Sequence, residues 1–239
     1  MKIAFLGTPA SAVPTLEALL FAGHAVPLVV TQPDRPAGRS GEPRPPAVKT
    51  AAAAAGLRVI QPEKIKGIDF VDALAREAPD ALVVVAYGRI LPRPVLDVAR
   101  LGAVNVHFSL LPGYRGAAPV QWALARGEAV TGVTTMRMNE RMDEGDVLLL
   151  RELAIEEGEH APALTSRLAS AGAAILLETL ARLMDGSLAP TPQDAARATY
   201  APLLRASDGE ADPALPAREI EGRVRGFDPW PGVWMRRKG

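Results

Sequence analysis

Asp80-Ala81-Leu82-Val83-Val84-Val85-Ala86 is apolar at both odd and even positions. Neighbouring residues of a strand point to opposite faces, so this run suits a central parallel strand covered on both sides. Upstream, Lys2–Leu6 reads as a strand ending at Gly7, Pro14–Phe21 has helical spacing, and Ala25–Val30 is again strand-like, which makes a β-α-β opening. A Pro/Gly/Arg-rich loop, Gln32 to Pro46, then leads into helices at Ala47–Ala55 and Ile68–Ala78. Downstream, strands are expected at Ala103–Phe108, Val130–Met138 and Asp146–Leu150, the last two joined through a turn at Asp143–Gly145. An amphipathic helix, His160–Met184, follows, then a polar linker at Gly186–Arg197. Alternating strands and helices imply a doubly wound, mostly parallel α/β sheet, with ligands at the carboxyl ends of its strands. The expected division is a catalytic domain over 1–187, a linker over 188–205 and a further domain beginning at 206–239.

The chain has 239 residues and 48% hydrophobic composition, enough for one large core and a smaller appendage. Lys+Arg and Asp+Glu are equal at 27 each, so any contact with nucleic acid depends on a local basic patch. Without cysteine, disulfides and thiolate zinc sites are excluded. No apolar run reaches membrane-spanning length, and MKIAFLG is too short an apolar stretch for a signal peptide. A cytoplasmic monomer without membrane contact is expected.

Candidate chemistry concentrates in Asn105 to Pro119, NVHFSLLPGYRGAAP. Asn105 and His107 are two apart and project from one face of their strand, while Val104, Val106 and Phe108 project from the other. Burying an amide and an imidazole there is costly unless something polar meets them. The Gly/Pro-rich continuation is an irregular loop against which a ligand could lie. Other features are weaker. Gly7-Thr8-Pro9 lacks the full glycine pattern of a dinucleotide or phosphate loop and, alone, is a tight β-α turn. His24 and His160 read as solvated, and Asp143 alone is an ordinary turn residue. One histidine with Asn and Asp makes a poor metal site, so no metal is expected. The elbow of a serine hydrolase is absent.

Taken together, Asn105-Val-His107, Ser109-Leu-Leu-Pro112 through Arg115-Gly116 to Pro119, and Asp143-Glu-Gly145 resemble the shared pattern of the formyltetrahydrofolate-dependent formyltransferase superfamily. Within it, GTP at 7–9, TQPDRPAGR at 31–39, VVVAYGRILP at 83–92 and GFDPWPG at 226–232 look like the methionyl-tRNA formyltransferases. The resemblance covers nearly the whole chain. It implies a Rossmann-like domain that moves the formyl group of 10-formyltetrahydrofolate to the α-amino group of methionine on initiator Met-tRNA. Asn105 and His107 would donate hydrogen bonds to the developing oxyanion. Asp143 would orient His107, favour its cationic form and help move the amine's proton. The folate co-substrate would lie against Ser109, Leu110, Leu111 and Pro112, and against Tyr87, Arg89, Ile90 and Leu91. Arg35, Arg39, Arg44 and Lys49 would reach the phosphates of the tRNA acceptor end. Arg115 either serves the ligand or orders its own loop; both readings stay open. An acceptor of amino-sugar-nucleotide type, or a folate-binding protein without catalysis, are the alternatives.

The chain departs from the pattern in places. Phe108 stands where the family usually has a small residue, Ser11 replaces an aromatic, and SGEP at 40–43 carries an acid where lysines are usual. In the family, DPWPG enters an OB-like β-barrel that helps grip tRNA. The sequence continues past Pro231 only from Gly232 to Gly239, too little for such a barrel, so an incomplete, truncated OB-like domain with exposed Trp230 and Trp234 is expected.

Overall fold

The computed structural model describes residues 1–36 and 41–236. In chain order the elements are β1 (Lys2–Gly7), α1 (Val13–Phe21), β2 (Ala25–Val30), β3 (Arg35–Pro36), β4 (Pro43–Arg44) and α2 (Ala47–Ala54). There follow β5 (Val59–Ile60), α3 (Ile68–Ala75), β6 (Ala81–Val85), α4 (Arg93–Leu96), β7 (Ala103–His107) and α5 (Pro119–Ala125). The chain ends in β8 (Val130–Arg137), β9 (Val147–Ala154), α6 (Ala161–Met184) and α7 (Ala217–Gly226).

One seven-stranded sheet, ordered β5-β2-β1-β6-β7-β8-β9, forms the frame. Its strands are parallel from β5 through β7, whereas β8 and β9 are added antiparallel. The all-apolar run Ala81–Val85 is β6, at the middle of the sheet and buried along its whole length. Its odd-numbered residues pack with α1, α2 and α6, and Leu82 and Val84 pack with Phe70 and Leu74 of α3 and Val95 and Leu96 of α4. Burial on both faces explains why the run shows no polar alternation.

α6 is the main cover for the carboxyl-terminal half of the sheet, burying Leu164, Leu168, Ile175, Leu176 and Leu180 at helical spacing. It crosses β7 closely at Gly172, where a Cβ would stand 2.8 Å from Val106 Cγ1. Phe108 fills the neighbouring space in this core, so its departure from the family pattern repacks the face opposite His107.

β9 runs to Ala154, beyond the expected Leu150, because an edge strand tolerates the exposed Arg151 and Glu152. The sequence also concealed β5, α4 and α5. β5 is only two residues long, and α5 starts with Pro119 at its first position directly after the irregular loop.

Beyond α6 the chain returns to the loop that follows β7. Thr199 and Ala201 pair through backbone hydrogen bonds with Pro112, Arg115 and Ala118. α7 packs on α5, with Phe227 buried edge-on against Trp122 at 5.4 Å between ring centroids. Trp230 and Trp234 are 53% and 40% exposed, as expected. His160, expected in solvent and 44% exposed at its side chain, also joins α6 to this segment through Asp228 Oδ2, 2.8 Å from its Nδ1. His24 is half-buried with Nδ1 3.3 Å from the N-terminal amine, and desolvation, then that positive charge, lowers its pKa.

Candidate functional site

The carboxyl ends of β1, β2, β6 and β7 lie side by side because these strands are parallel. Asn105 pairs with Val84 in register, which sets it next to the loop leaving β6. On the other side it faces Met136, and His107 faces Thr134. Both are buried, at 9% and 6% exposure. The Asn105 side chain makes no hydrogen bond with any described residue. A nearly buried amide with open donors, at the carboxyl end of a parallel strand, is a polar group set for a ligand.

His107 is held differently. Its Nε2 lies 2.9 Å from the carbonyl oxygen of Tyr114, so the proton on Nε2 is donated to that carbonyl. Nδ1 is turned toward Asp143, whose Oδ2 stands 3.8 Å away. That is ion-pair distance without a hydrogen bond. The same carboxylate oxygen accepts from the backbone N–H of Gly116 at 2.9 Å. Thus Asn105, His107 and Asp143 come together, but the ring is fixed by Tyr114 rather than by Asp143. Tyr114 and Asp143 both have left-handed backbones, with φ of 59° and 53°. Such values are uncommon for side-chain-bearing residues and persist where the surroundings enforce them.

The loop after β7 is tied down from several directions. Ser109 is fully buried and its Oγ donates to the carbonyl of Gly113 at 2.6 Å. Thr134 Oγ1 donates to the Ser109 carbonyl at 2.6 Å and accepts from the N–H of Leu111 at 3.0 Å. Arg115 is 4% exposed, and its Nε and one terminal nitrogen share Gln193 Oε1 at 3.0 and 2.8 Å. Its other terminal nitrogen is 3.7 Å from Glu144. Gln193 in turn donates to the carbonyls of Asp143 and Gly145, at 2.8 and 2.6 Å. Arg115 therefore orders its own loop and braces the turn that carries Asp143, which resolves the two readings left open. Thr134, Gln193 and Tyr114 were not singled out from sequence; Gln193 sits in a segment that reads as an ordinary polar linker.

The loop after β6 belongs to the same edge. Tyr87 and Leu91 are buried in the core, so there they offer backbone rather than side chain, while Ile90 is 54% exposed. Burial raises the Tyr87 phenol pKa, and its hydroxyl has no hydrogen-bond partner among the described residues. The Tyr87 carbonyl accepts from Thr8 Oγ1 and from Gln32 Nε2, both at 3.1 Å. Gln32 Oε1 also accepts from Arg89 Nε at 3.1 Å, and Arg89 donates to the Glu63 carbonyl at 2.6 Å. Gly7-Thr8-Pro9 is thus a turn that braces the β6 loop.

Of the four basic residues expected to face an acceptor, Arg35 and Arg44 are exposed and paired in register on the β3–β4 ribbon. Arg39 lies outside the described residues. Lys49 is committed to Asp34, at 2.7 and 2.8 Å from its two oxygens, and Gln61 donates to Asp34 and to the Gln32 carbonyl, both at 2.7 Å. These side-chain hydrogen bonds, Lys49's first and Gln61's second, hold the Asp34 carboxyl below its ordinary range. Lys49 is a strut of the loop in this structure.

Two open hollows flank the centre. One of about 540 Å³ is bounded by Leu110–Gly113, Leu150, Glu152 and Arg197. The other, about 510 Å³, is bounded by Lys64–Gly67 and Arg89. Neither is lined by Asn105, His107 or Asp143. No cluster of three or more His, Asp or Glu suited to a metal occurs among the described residues, and no helix there is long and apolar enough to cross a membrane.

The formyl transferase family model matches residues 1–180. The methionyl-tRNA formyltransferase of Acidobacterium capsulatum is 57% identical over 235 residues, covering 98% of this chain and 76% of its own length. That of Anaeromyxobacter sp. (strain K) is 53% identical over 239 residues, covering 100% of this chain and 77% of its own. Among solved structures, HypX from Aquifex aeolicus in complex with tetrahydrofolic acid superposes with a TM-score of 0.73 at 19% identity, over 99% of this chain and 36% of that one. A sugar N-formyltransferase from Shewanella gives a TM-score of 0.73 at 17% identity, over 99% of this chain and 93% of its own. At such identities these structures speak for the fold alone.

Proposed function

The chain belongs to the formyl transferase family, and from that premise we propose that it transfers a formyl group from 10-formyltetrahydrofolate to the α-amino group of methionine on initiator Met-tRNA, a step of translation initiation. The observation that carries this is the match to methionyl-tRNA formyltransferases at 57% and 53% identity over 98% and 100% of the chain. Fold likeness to a sugar formyltransferase at 17% identity does not choose an acceptor.

The reaction exchanges one amide-like bond for another. The amine attacks the formyl carbon, a C–N bond forms, and the bond from that carbon to N10 of the folate breaks. One proton leaves the attacking nitrogen and one is delivered to N10. The free NH2 of Asn105 supports a role in holding the oxygen as it gains charge, where a fixed donor in a water-poor site counts most. His107 presents Nδ1 on the Asp143 side; a proton there would face both carboxylate and substrate. Asp143, half-buried and already oriented by Gly116, is the base closest to that path.

For the folate, the exposed and half-exposed parts of Leu110, Pro112 and Ile90 supply apolar contact, and the 87–91 backbone supplies polar groups. Buried Ser109, Leu111, Tyr87 and Leu91 shape these loops from beneath, and Arg89 stiffens them through Gln32 and Glu63. Arg35 and Arg44, exposed on the β3–β4 ribbon, are proposed to meet acceptor phosphates. The portion from 206 onward is proposed to correspond to the beginning of the OB-like domain, after a linker over 188–205; among the described residues it contains α7 and an isolated bridge between Glu210 and Trp234.

The test is formylation by the full chain with the folate donor, offering Met-tRNA and an amino-sugar nucleotide in parallel. Formyl-Met-tRNA alone is the expected product. Formylation of the sugar without that of Met-tRNA would overturn the reading, and folate binding without transfer to either would leave only a binding protein.

A further inference from the structure

Tyr114 holds His107 through its backbone, in a conformation that an L-residue adopts only under constraint. The constraint comes from its side chain and its own N–H. The guanidinium of Arg126 lies over the Tyr114 ring, 5.1 Å from the centroid, and is 5.5 Å from the Trp122 ring. Arg126 also donates to the Tyr200 carbonyl at 3.1 Å. The Tyr114 hydroxyl donates to Glu128. Its N–H donates to Thr199 Oγ1 at 2.8 Å. Trp122 is itself fixed by its indole N–H to the Pro202 carbonyl at 2.8 Å and by the edge of Phe227. The side chain of Tyr114 is therefore gripped by Arg126 and Glu128, just after α5, while the returning segment holds its N–H through Thr199 and steadies Arg126 through Tyr200.

We propose that Tyr114 is a positioning residue for His107: the grip on its ring keeps the backbone left-handed, aims the carbonyl at Nε2, and so leaves Nδ1 as the nitrogen presented to Asp143 and the substrate. The proposal rests on His107 acting in formyl transfer. Without the grip, a residue other than glycine at this position relaxes out of the left-handed region, and the carbonyl turns away from the ring. Glycine adopts that region at little cost, so it can retain the carbonyl even without a ring. This inverts the usual order, in which alanine is the milder replacement.

The experiment compares Tyr114→Phe, Tyr114→Ala, Tyr114→Gly and Arg126→Ala in the full chain, with folding checked by circular dichroism. Steady-state formylation gives kcat and KM. Ring ¹⁵N shifts of His107, identified by comparison with His107→Gln, give its tautomer. Phe keeps the ring under Arg126 but loses the hydrogen bond to Glu128, so it should fall less than Ala on both readouts. Ala should lower kcat about tenfold or more, the scale of one hydrogen bond to a group that becomes charged, with each KM within about twofold. It should also mix the tautomers, which a merely structural role would not do. Gly should lie between Ala and the parent on both readouts. Arg126→Ala should move both in the Ala direction, and it decides the matter if Tyr114→Ala does not fold. Unchanged kcat and an unchanged Nε2–H tautomer in the folded Ala variant (or in Arg126→Ala, if Ala does not fold) would overturn the proposal, as would Gly falling below Ala. Because the tautomer is read without substrate, failure of the acceptor assignment would show separately as absent turnover with the tautomer pattern intact.

Discussion

Asp143 Oδ2 stands 3.8 Å from His107 Nδ1 and is hydrogen-bonded to the Gly116 N–H instead. The carboxylate is thus held by the loop that follows β7, at a distance from the imidazole that a modest shift or a water molecule can close. Asp143→Asn keeps an oxygen acceptor for Gly116 and removes only the charge and basicity. Its kcat is expected to fall roughly 100-fold or more, the usual worth of a general base, while the thermal midpoint barely moves. Parallel kinetics and melting curves measure this; retained kcat would remove Asp143 from the chemistry.

The turn bearing Asp143 depends on a close backbone approach. A Cβ on Gly145 would lie 1.7 Å from the Arg137 carbonyl oxygen, an atom of the sheet that cannot yield. Gly145→Ala should cost about 2 kcal/mol or more and loosen the turn, seen as a lower denaturant midpoint together with reduced kcat. Wild-type stability in this variant would show the turn to be softer than its packing implies.

Arg35 and Arg44 point to solvent, whereas Lys49 is spent on Asp34. If the arginines meet phosphates, Arg35→Ala and Arg44→Ala should each reduce the slope of log affinity for Met-tRNA against log salt, by about 0.7–0.9 per lost contact. Lys49→Ala should leave that slope unchanged. Binding titrations at several salt concentrations separate the three, and a slope change confined to Lys49→Ala would reverse the assignment.

The Tyr114 phenol is pushed up to about 12, first by burial and then by Glu128, which accepts its hydrogen bond. The folded state binds that proton more tightly than the unfolded chain, whose phenol ionises near 10. The associated stability is therefore complete below about pH 10 and is lost as pH rises through about 12. Glu128→Ala removes the acceptor and its charge but not the burial. It should bring the phenol's midpoint part of the way down, in an ultraviolet difference titration against Tyr114→Phe. A midpoint unmoved by this change would mean that burial alone sets it.

Much of this molecule is legible from its residues because periodicity reports burial. Ala81–Val85 is apolar on both faces and is the central strand. Asn105 and His107 share one face and Val104, Val106 and Phe108 the other, since side chains alternate along a regular strand. The run Asn105–Pro119 also carries the family, confirmed over residues 1–180. α5 and β5 stayed hidden because they are too short to display a period.

What sequence could not decide is which atoms are already engaged. Lys49 looks like a free cation until folding brings Asp34 to 2.7 Å. Arg115 looks equally suited to ligand or loop until Gln193, far along the chain, takes its guanidinium. His107 offers two nitrogens on paper, and only the placement of the Tyr114 carbonyl leaves Nδ1 for Asp143 and the substrate. The sequence by itself determined the mostly parallel sheet, the face shared by Asn105 and His107, and the family. The tertiary structure decided the donors and acceptors, because a hydrogen bond is made or lost within about half an ångström and the partners meet only when distant segments are packed together.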